Sequence, residues 1–133
     1  MNNYFNILKK MNNKAKINGD IPVSAIIILN NKIIAKDYNK KYKNNDPFAH
    51  AEILAIKKAC RKLKTPNLSD CEMYVTLYPC DMCKEVIKES KLKKVYYYIN
   101  KDKIINNKII FERINCENEY FSKELSTFFK NKR

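Results

Sequence analysis

Two short runs of this sequence carry side chains that together could hold a metal ion: His50-Ala51-Glu52 and Pro79-Cys80-Asp81-Met82-Cys83. The two sulfurs stand three residues apart, so on a first helical turn they face the same way and can grip one ion. A helix N-terminus favours negative charge, which lowers a thiol's pKa and supplies the thiolate that zinc requires. One imidazole and two thiolates make three ligands, and a fourth position left open is the mark of a catalytic zinc site. Glu52 lies two residues from His50, which on a regular helix turns it away by about 200°. If His50 stands at the very start of its helix, Glu52 reaches the same pocket from one layer deeper, beside the ion. There it can shuttle protons while the metal lowers the pKa of its water from about 15.7 toward ~7.

Two other chemistries fit parts of the pattern. A cytosolic Cys-x-x-Cys also serves as a thioredoxin-type redox pair, which leaves His50 and Glu52 unused. A four-ligand structural zinc needs one more donor, which Cys71 or Cys60 could supply. The five cysteines are odd in number and irregularly spaced, which speaks against a disulfide scaffold. Cys60, Cys71 and Cys116 read most simply as buried thiols.

Both runs need helices to present them, and the hydrophobic periods supply these. Ala49, Ile53, Ile56, Cys60 and Leu63 recur at helical spacing after a polar loop from Asn39 to Asp46. Thr65-Pro66-Asn67 ends that helix, Glu72 to Leu77 reads as a strand, and Pro79 turns the chain into a second amphipathic helix through Val86 and Ile87. Val95 to Ile99 is a further strand. Upstream, residues 3 to 16 place Tyr4, Leu8, Met11 and Ala15 on one helical face, with Asn18-Gly19-Asp20 as the stop. Val23 to Leu29 and Ile33 to Tyr38 form an antiparallel pair, because Asn30-Asn31 tolerates the positive φ of a two-residue hairpin turn. Tyr120, Phe121, Leu125, Phe128 and Phe129 belong to a closing helix. Strands alternating with helices after an initial hairpin predict a layered α/β domain with the later strands parallel.

Length and composition set the outer bounds. At 133 residues the chain is expected to form one domain, residues 1–133. Its longest apolar stretch, Ile21 to Leu29, falls far short of the ~20 residues that cross a bilayer. The N-terminal residues lack the pattern of a secretory signal, so a cytoplasmic protein without membrane attachment is expected. A net charge of +13 draws the chain toward polyanions, although the abundance of Lys, Asn and Ile also suits an AT-rich genome.

Taken together, the motifs resemble the zinc-dependent cytidine/deoxycytidylate-type deaminases, and within them the tRNA adenosine deaminases that convert wobble adenosine to inosine. The likeness runs from about Asp20 to Tyr97. It includes Ile21-Pro22-Val23, Asn39 eleven residues before His50, Asp46-Pro47-Phe48-Ala49-His50-Ala51-Glu52-Ile53, and Leu68-Ser69-Asp70 leading into Tyr74-Val75-Thr76-Leu77, and Ser90 with a Lys-rich strand entry continues it. The resemblance implies a three-layer α/β/α cytidine-deaminase-like fold with a mixed central sheet. It implies one Zn2+ per chain on His50, Cys80 and Cys83, with Glu52 moving protons while activated water attacks C6 of a purine, or C4 in the cytosine members. Asn39 would hydrogen-bond the base, and Ile21, Ala51 and Leu77 would help form the pocket. An ordinary turn role for Asn39 and core packing for Ile21 and Leu77 compete with those assignments. The tRNA-editing members are usually homodimers that act on an extruded nucleotide of the anticodon loop. Lys123, Lys130, Lys132 and Arg133 would contact RNA or form a solvated tail.

Five positions depart from the pattern usual in bacterial tRNA adenosine deaminases. Tyr78 replaces a usual Glu, Ser24 a usual Gly, Tyr98 and Ile99 stand where small residues are customary, and Lys101 where an acidic residue is common. None removes a metal ligand or the proton shuttle; they bear on the substrate, because the exit of the fourth strand shapes the pocket rim. Three readings follow: wobble-adenosine deamination in tRNA, deamination of a free base or nucleotide of guanine or cytosine type, and a non-catalytic RNA-binding partner subunit in which zinc is structural.

Overall fold

The computed structural model describes residues 4–100, 110–115 and 119–131; Lys101, Cys116, Lys132 and Arg133 lie outside them. Five strands form one mixed sheet: β1 (Ser24–Leu29), β2 (Lys32–Tyr38), β3 (Glu72–Leu77), β4 (Lys94–Ile99) and β5 (Ile110–Arg113), in the order β2-β1-β3-β4-β5. The pairs β1–β2 and β1–β3 are antiparallel, whereas β3–β4 and β4–β5 are parallel. Asn30 and Asn31 turn the hairpin at φ 52° and 63°, as their tolerance of the left-handed region allows.

Helices cover both faces. Helix α3 (Ala51–Leu63) and α4 (Asp81–Ser90) pack on one side, where Ala25, Ile27, Met73, Val75 and Val95 meet Ala51, Ala55, Ile56, Ala59 and Ile87. Helix α1 (Tyr4–Ile17) and α5 (Tyr120–Asn131) supply Leu8, Met11 and Phe121 to the opposite core, against Ile26, Ile28, Tyr98 and Ile99. This is the three-layer α/β/α arrangement, with the hairpin and later parallel strands in place.

The structure revises several local readings. The stripe Ala49, Ile53, Ile56, Cys60, Leu63 is rotated from the face α3 buries, which is Ala51, Glu52, Ala55, Ile56 and Ala59. Three alanines one turn apart let the helix lie close on the sheet, and the larger residues flank that seam. A short helical turn, α2 (Lys41–Asn44), interrupts the polar loop, and the edge strand β5 went unread because its parallel pairing with β4 is a non-local contact. Tyr98 and Ile99 belong to the α1/α5-side core, not to the pocket rim: Tyr98 meets Phe121 edge-on at 4.9 Å. Ser24 is buried as well, and its hydroxyl donates to the Leu8 carbonyl at 3.0 Å, fastening β1 to α1.

Asp37 holds β2 to its surroundings. Its buried carboxylate pairs with Lys40 at 2.8 Å and Lys58 at 3.0 Å and accepts the Tyr38 N–H. Burial pushes its pKa up, but the hydrogen bonds from Lys40, Lys58 and Tyr38 outweigh this and hold it below the ordinary carboxylate value. A folded-state pKa below the unfolded one contributes stability above the unfolded pKa, lost as pH falls through the folded value. Because both lysines keep contact with water, Asp37→Asn is expected to cost about 1–2 kcal/mol at pH 7. Urea unfolding should show the difference at neutral pH and its disappearance in strong acid.

Candidate active site

His50 and Cys80 occupy equivalent positions: each is the N-cap of its helix, with extended backbone and a side chain that makes no capping bond. Their carbonyls accept the first helical bonds, from Leu54 and Lys84, which leaves the imidazole and the thiol turned away from the helix ends. Pro79 is the natural lead-in, since proline keeps Tyr78 extended at the end of β3. Because α3 and α4 lie side by side on one sheet face, their N-termini meet beyond the end of β3, and Cys83 arrives from the first turn of α4.

His50 Nδ1 lies 3.5 Å from the Cys83 sulfur and 3.8 Å from that of Cys80, and the three donors all fall within 4.8 Å of one another. Zinc–sulfur bonds of about 2.3 Å and zinc–nitrogen bonds of about 2.0–2.1 Å at tetrahedral angles set nitrogen–sulfur separations of ~3.6 Å. The donor set therefore fits such an ion in both chemistry and spacing, with Nδ1 as the ligand nitrogen and the proton on Nε2. Cys60 and Cys71 are not part of this group, so among the described residues no fourth protein donor is present.

Hydrogen bonds with Cys83 and then His50 hold the Cys80 thiol down at about 3. The Cys83 thiol is pushed up, first by its hydrogen bond with Cys80 and then by burial. The hydrogen bond with Cys80 raises the His50 pKa. Glu52, only 4% exposed, is hydrogen-bonded to Cys83. Burial above all raises its carboxyl to about 7, which suits a group that must both take and give a proton near neutral pH.

Asn39 organises the approach. Its Oδ1 accepts the Ala51 N–H at 2.8 Å, taking the capping role that His50 leaves vacant, and its Nδ2 donates to the Ile21 carbonyl at 3.0 Å. An amide retains capacity for a second donor and a second acceptor bond, so this does not preclude contact with a base. Ile21 and Asn39 line a cavity of about 380 Å³ beside His50, together with Tyr42, Phe128 and Phe129. Ala51 is fully buried in the α3/α4-side core, and Leu77 packs against both cores, so neither is placed in that cavity. The sequence reading missed Asp20, whose buried carboxylate accepts the N–H groups of Tyr42 and Lys43 and so fixes α2 at the mouth. It placed Phe128 and Phe129 on the closing helix but not at this cavity, because the docking of that helix is a non-local contact. An acid directly after the only glycine was a usable signal for Asp20.

The likeness to known proteins bears on this arrangement. The model of the MafB19-like deaminase family matches residues 1–133. The chain belongs to that family. A tRNA-specific adenosine deaminase of Rickettsia bellii is 37% identical to this deaminase over 122 residues, covering 84% of each chain. A protein of the same description from Aquifex aeolicus is 49% identical over 79 residues, 59% of this chain and 52% of that one, so the match spans about half of that relative's length. Among solved structures, the guanine deaminase of Bacillus subtilis superposes with a TM-score of 0.67 at 28% identity, covering 98% of this deaminase and 95% of that chain.

Asn39→Ala should lower zinc affinity about tenfold, because it removes the bond that orients the start of α3 next to His50. Asn39→Asp, which keeps the acceptor, should retain most of that affinity. Competition with a chromophoric chelator measures both; unchanged affinity in the alanine variant would remove Asn39 from the metal's support.

Proposed function

We propose that this protein is a zinc-dependent hydrolytic deaminase, one domain spanning residues 1–133, that converts the wobble adenosine of a tRNA anticodon loop to inosine. The observation that carries the reading is the convergence of His50, Cys80 and Cys83, with the buried Glu52 hydrogen-bonded to Cys83. The names of the relatives, tRNA-specific adenosine deaminases, support the substrate. One zinc ion per chain, held by those three side chains, supplies a water whose pKa falls from about 15.7 toward ~7.

Adenosine and water give inosine and ammonia. Glu52 accepts the proton of the attacking water and delivers it to N1 as the new C–O bond forms at C6. It then takes the remaining hydroxyl proton and passes it to the departing amino group as the C–N bond breaks. Burial of Glu52 excludes the bulk water that would otherwise exchange its proton. Asn39 hydrogen-bonds the base and Ile21 packs against it, with Ala51 and Leu77 backing the pocket from the core. The positive charge of the chain attracts the RNA, and Lys41 stands at the mouth. An unpaired loop lets the base enter with little unstacking. The enzyme acts in the cytoplasm as a homodimer; its described cysteines are free thiols, and no helix among the described residues is long and apolar enough to cross a membrane.

Similarity to the Bacillus guanine deaminase favours a second reading, hydrolysis of a free purine base. Purified protein incubated with an anticodon stem-loop carrying wobble adenosine, and in parallel with free guanine and cytidine, decides between them. Inosine in the RNA is the expected product. Ammonia from guanine without inosine would establish the second reading, and no turnover by the zinc-loaded protein would leave the partner-subunit reading.

A further inference from the structure

Helix α5 carries Phe128 and Phe129 to the cavity beside His50, yet only two of its described side chains are buried, Phe121 and Glu124. Phe121 is held by aromatic contacts with Phe5 and Tyr98. Glu124, one turn closer to the cavity, is an acid in an otherwise apolar seam. Its Oε1 accepts a hydrogen bond from Asn12 Nδ2 at 2.8 Å, and its Oε2 pairs with Lys16 Nζ at 2.8 Å. Asn12 is completely buried on α1, between Leu8, Met11 and Ala15, and its Oδ1 has no hydrogen-bond partner among the described residues.

A polar cluster of this kind is a poor source of stability, since an orphaned acceptor and a desolvated carboxylate both carry penalties that apolar residues of similar size avoid. What it provides is direction. A hydrogen bond between buried partners admits one roll and one register of α5 on α1, where an apolar contact would admit several. From Glu124 the helix rises one turn to Phe128, so a change of roll at the clamp moves both rings out of the cavity.

We infer that Asn12 and Glu124 are positioning residues that aim the end of α5 at the substrate mouth and thereby set how tightly the substrate binds. The inference rests on the proposed function insofar as it names an RNA loop as the substrate. With the aim lost, ordering of the rings is deferred to binding, which weakens association without touching the groups that move protons.

The test uses the zinc-loaded full chain. Glu124→Ala should raise KM for the stem-loop about tenfold with kcat changed by less than about twofold, at unchanged zinc content. Glu124→Gln keeps an acceptor for Asn12 and should restore a KM close to that of the parent. The double variant Asn12→Leu/Glu124→Leu should melt at or above the parent temperature and still show the raised KM; it carries the test if Glu124→Ala does not fold. The chain has no tryptophan, so Phe128→Trp provides a single emission reporter on α5. In that background Glu124→Ala and the double variant should shift emission to the red and ease quenching by acrylamide. A folded double variant with the parent's KM would overturn the inference, as would emission unchanged across the series. If the parent protein leaves the stem-loop unreacted, the functional reading fails and the emission series alone decides the clamp.

Discussion

Glu52→Ala lowers the rate of inosine formation by about a thousandfold while bound zinc stays near one ion per chain, within the ~10²–10⁴ range that a positioned general acid–base supplies. The two halves of this result are separable because Glu52 is not one of the three converging donors. On the proposed mechanism its removal would take away the proton relay and leave His50, Cys80 and Cys83 in place. Glu52→Gln has the same shape without the relay and should be as inactive. Since a buried carboxylate is costly when ionised, the glutamine variant should melt at or above the parent temperature. Single-turnover assays with the stem-loop and elemental analysis of the dialysed protein measure the two quantities. Activity within tenfold of the parent in the alanine variant would remove Glu52 from the reaction.

Cys83→Ser is expected to abolish zinc binding and activity together. Changes to groups that merely orient a ligand already cost about 10–100-fold in affinity, and losing one of three donors must exceed that. Cys83 is fully buried at the first turn of α4, so no other sulfur can take its place. The fold should survive, because Ile87 and the alanine seam of α3 pack the same core without the ion. Far-ultraviolet circular dichroism should therefore be unchanged while zinc falls far below one per chain. Cys60→Ser and Cys71→Ser serve as the counterpart and should keep both metal and turnover. Zinc retained in Cys83→Ser but lost in either of those variants would show a structural ion bound elsewhere.

The cluster of His50, Cys80 and Cys83 was legible because its geometry is local: Cys-x-x-Cys after a proline and His-x-Glu at a helix start each imply their own geometry over one turn. The hairpin was legible for the same reason, since Asn30-Asn31 carries its turn type in its residue types. Helix α3 was found but its buried face was misjudged, because large apolar residues dominate a periodicity count whereas alanines form the seam that touches the sheet. Strand β5 and the core role of Tyr98 and Ile99 depend on which distant strands and helices lie alongside, and neighbouring residues hold no record of that.

Residue types and spacing were thus enough to expect His50, Cys80 and Cys83 to converge, together with the alternation of strands and helices that brings two helix starts to one end of a parallel pair. Only the folded chain decided that Asn39 caps α3, and that two buried acids, Asp20 and Glu124, hold α2 and α5 at the mouth. The physical reason is one of range. Ligand bite and turn type are settled within a few bonds of the chain, whereas burial and the aim of a helix are settled by partners 12 to 112 residues away in sequence.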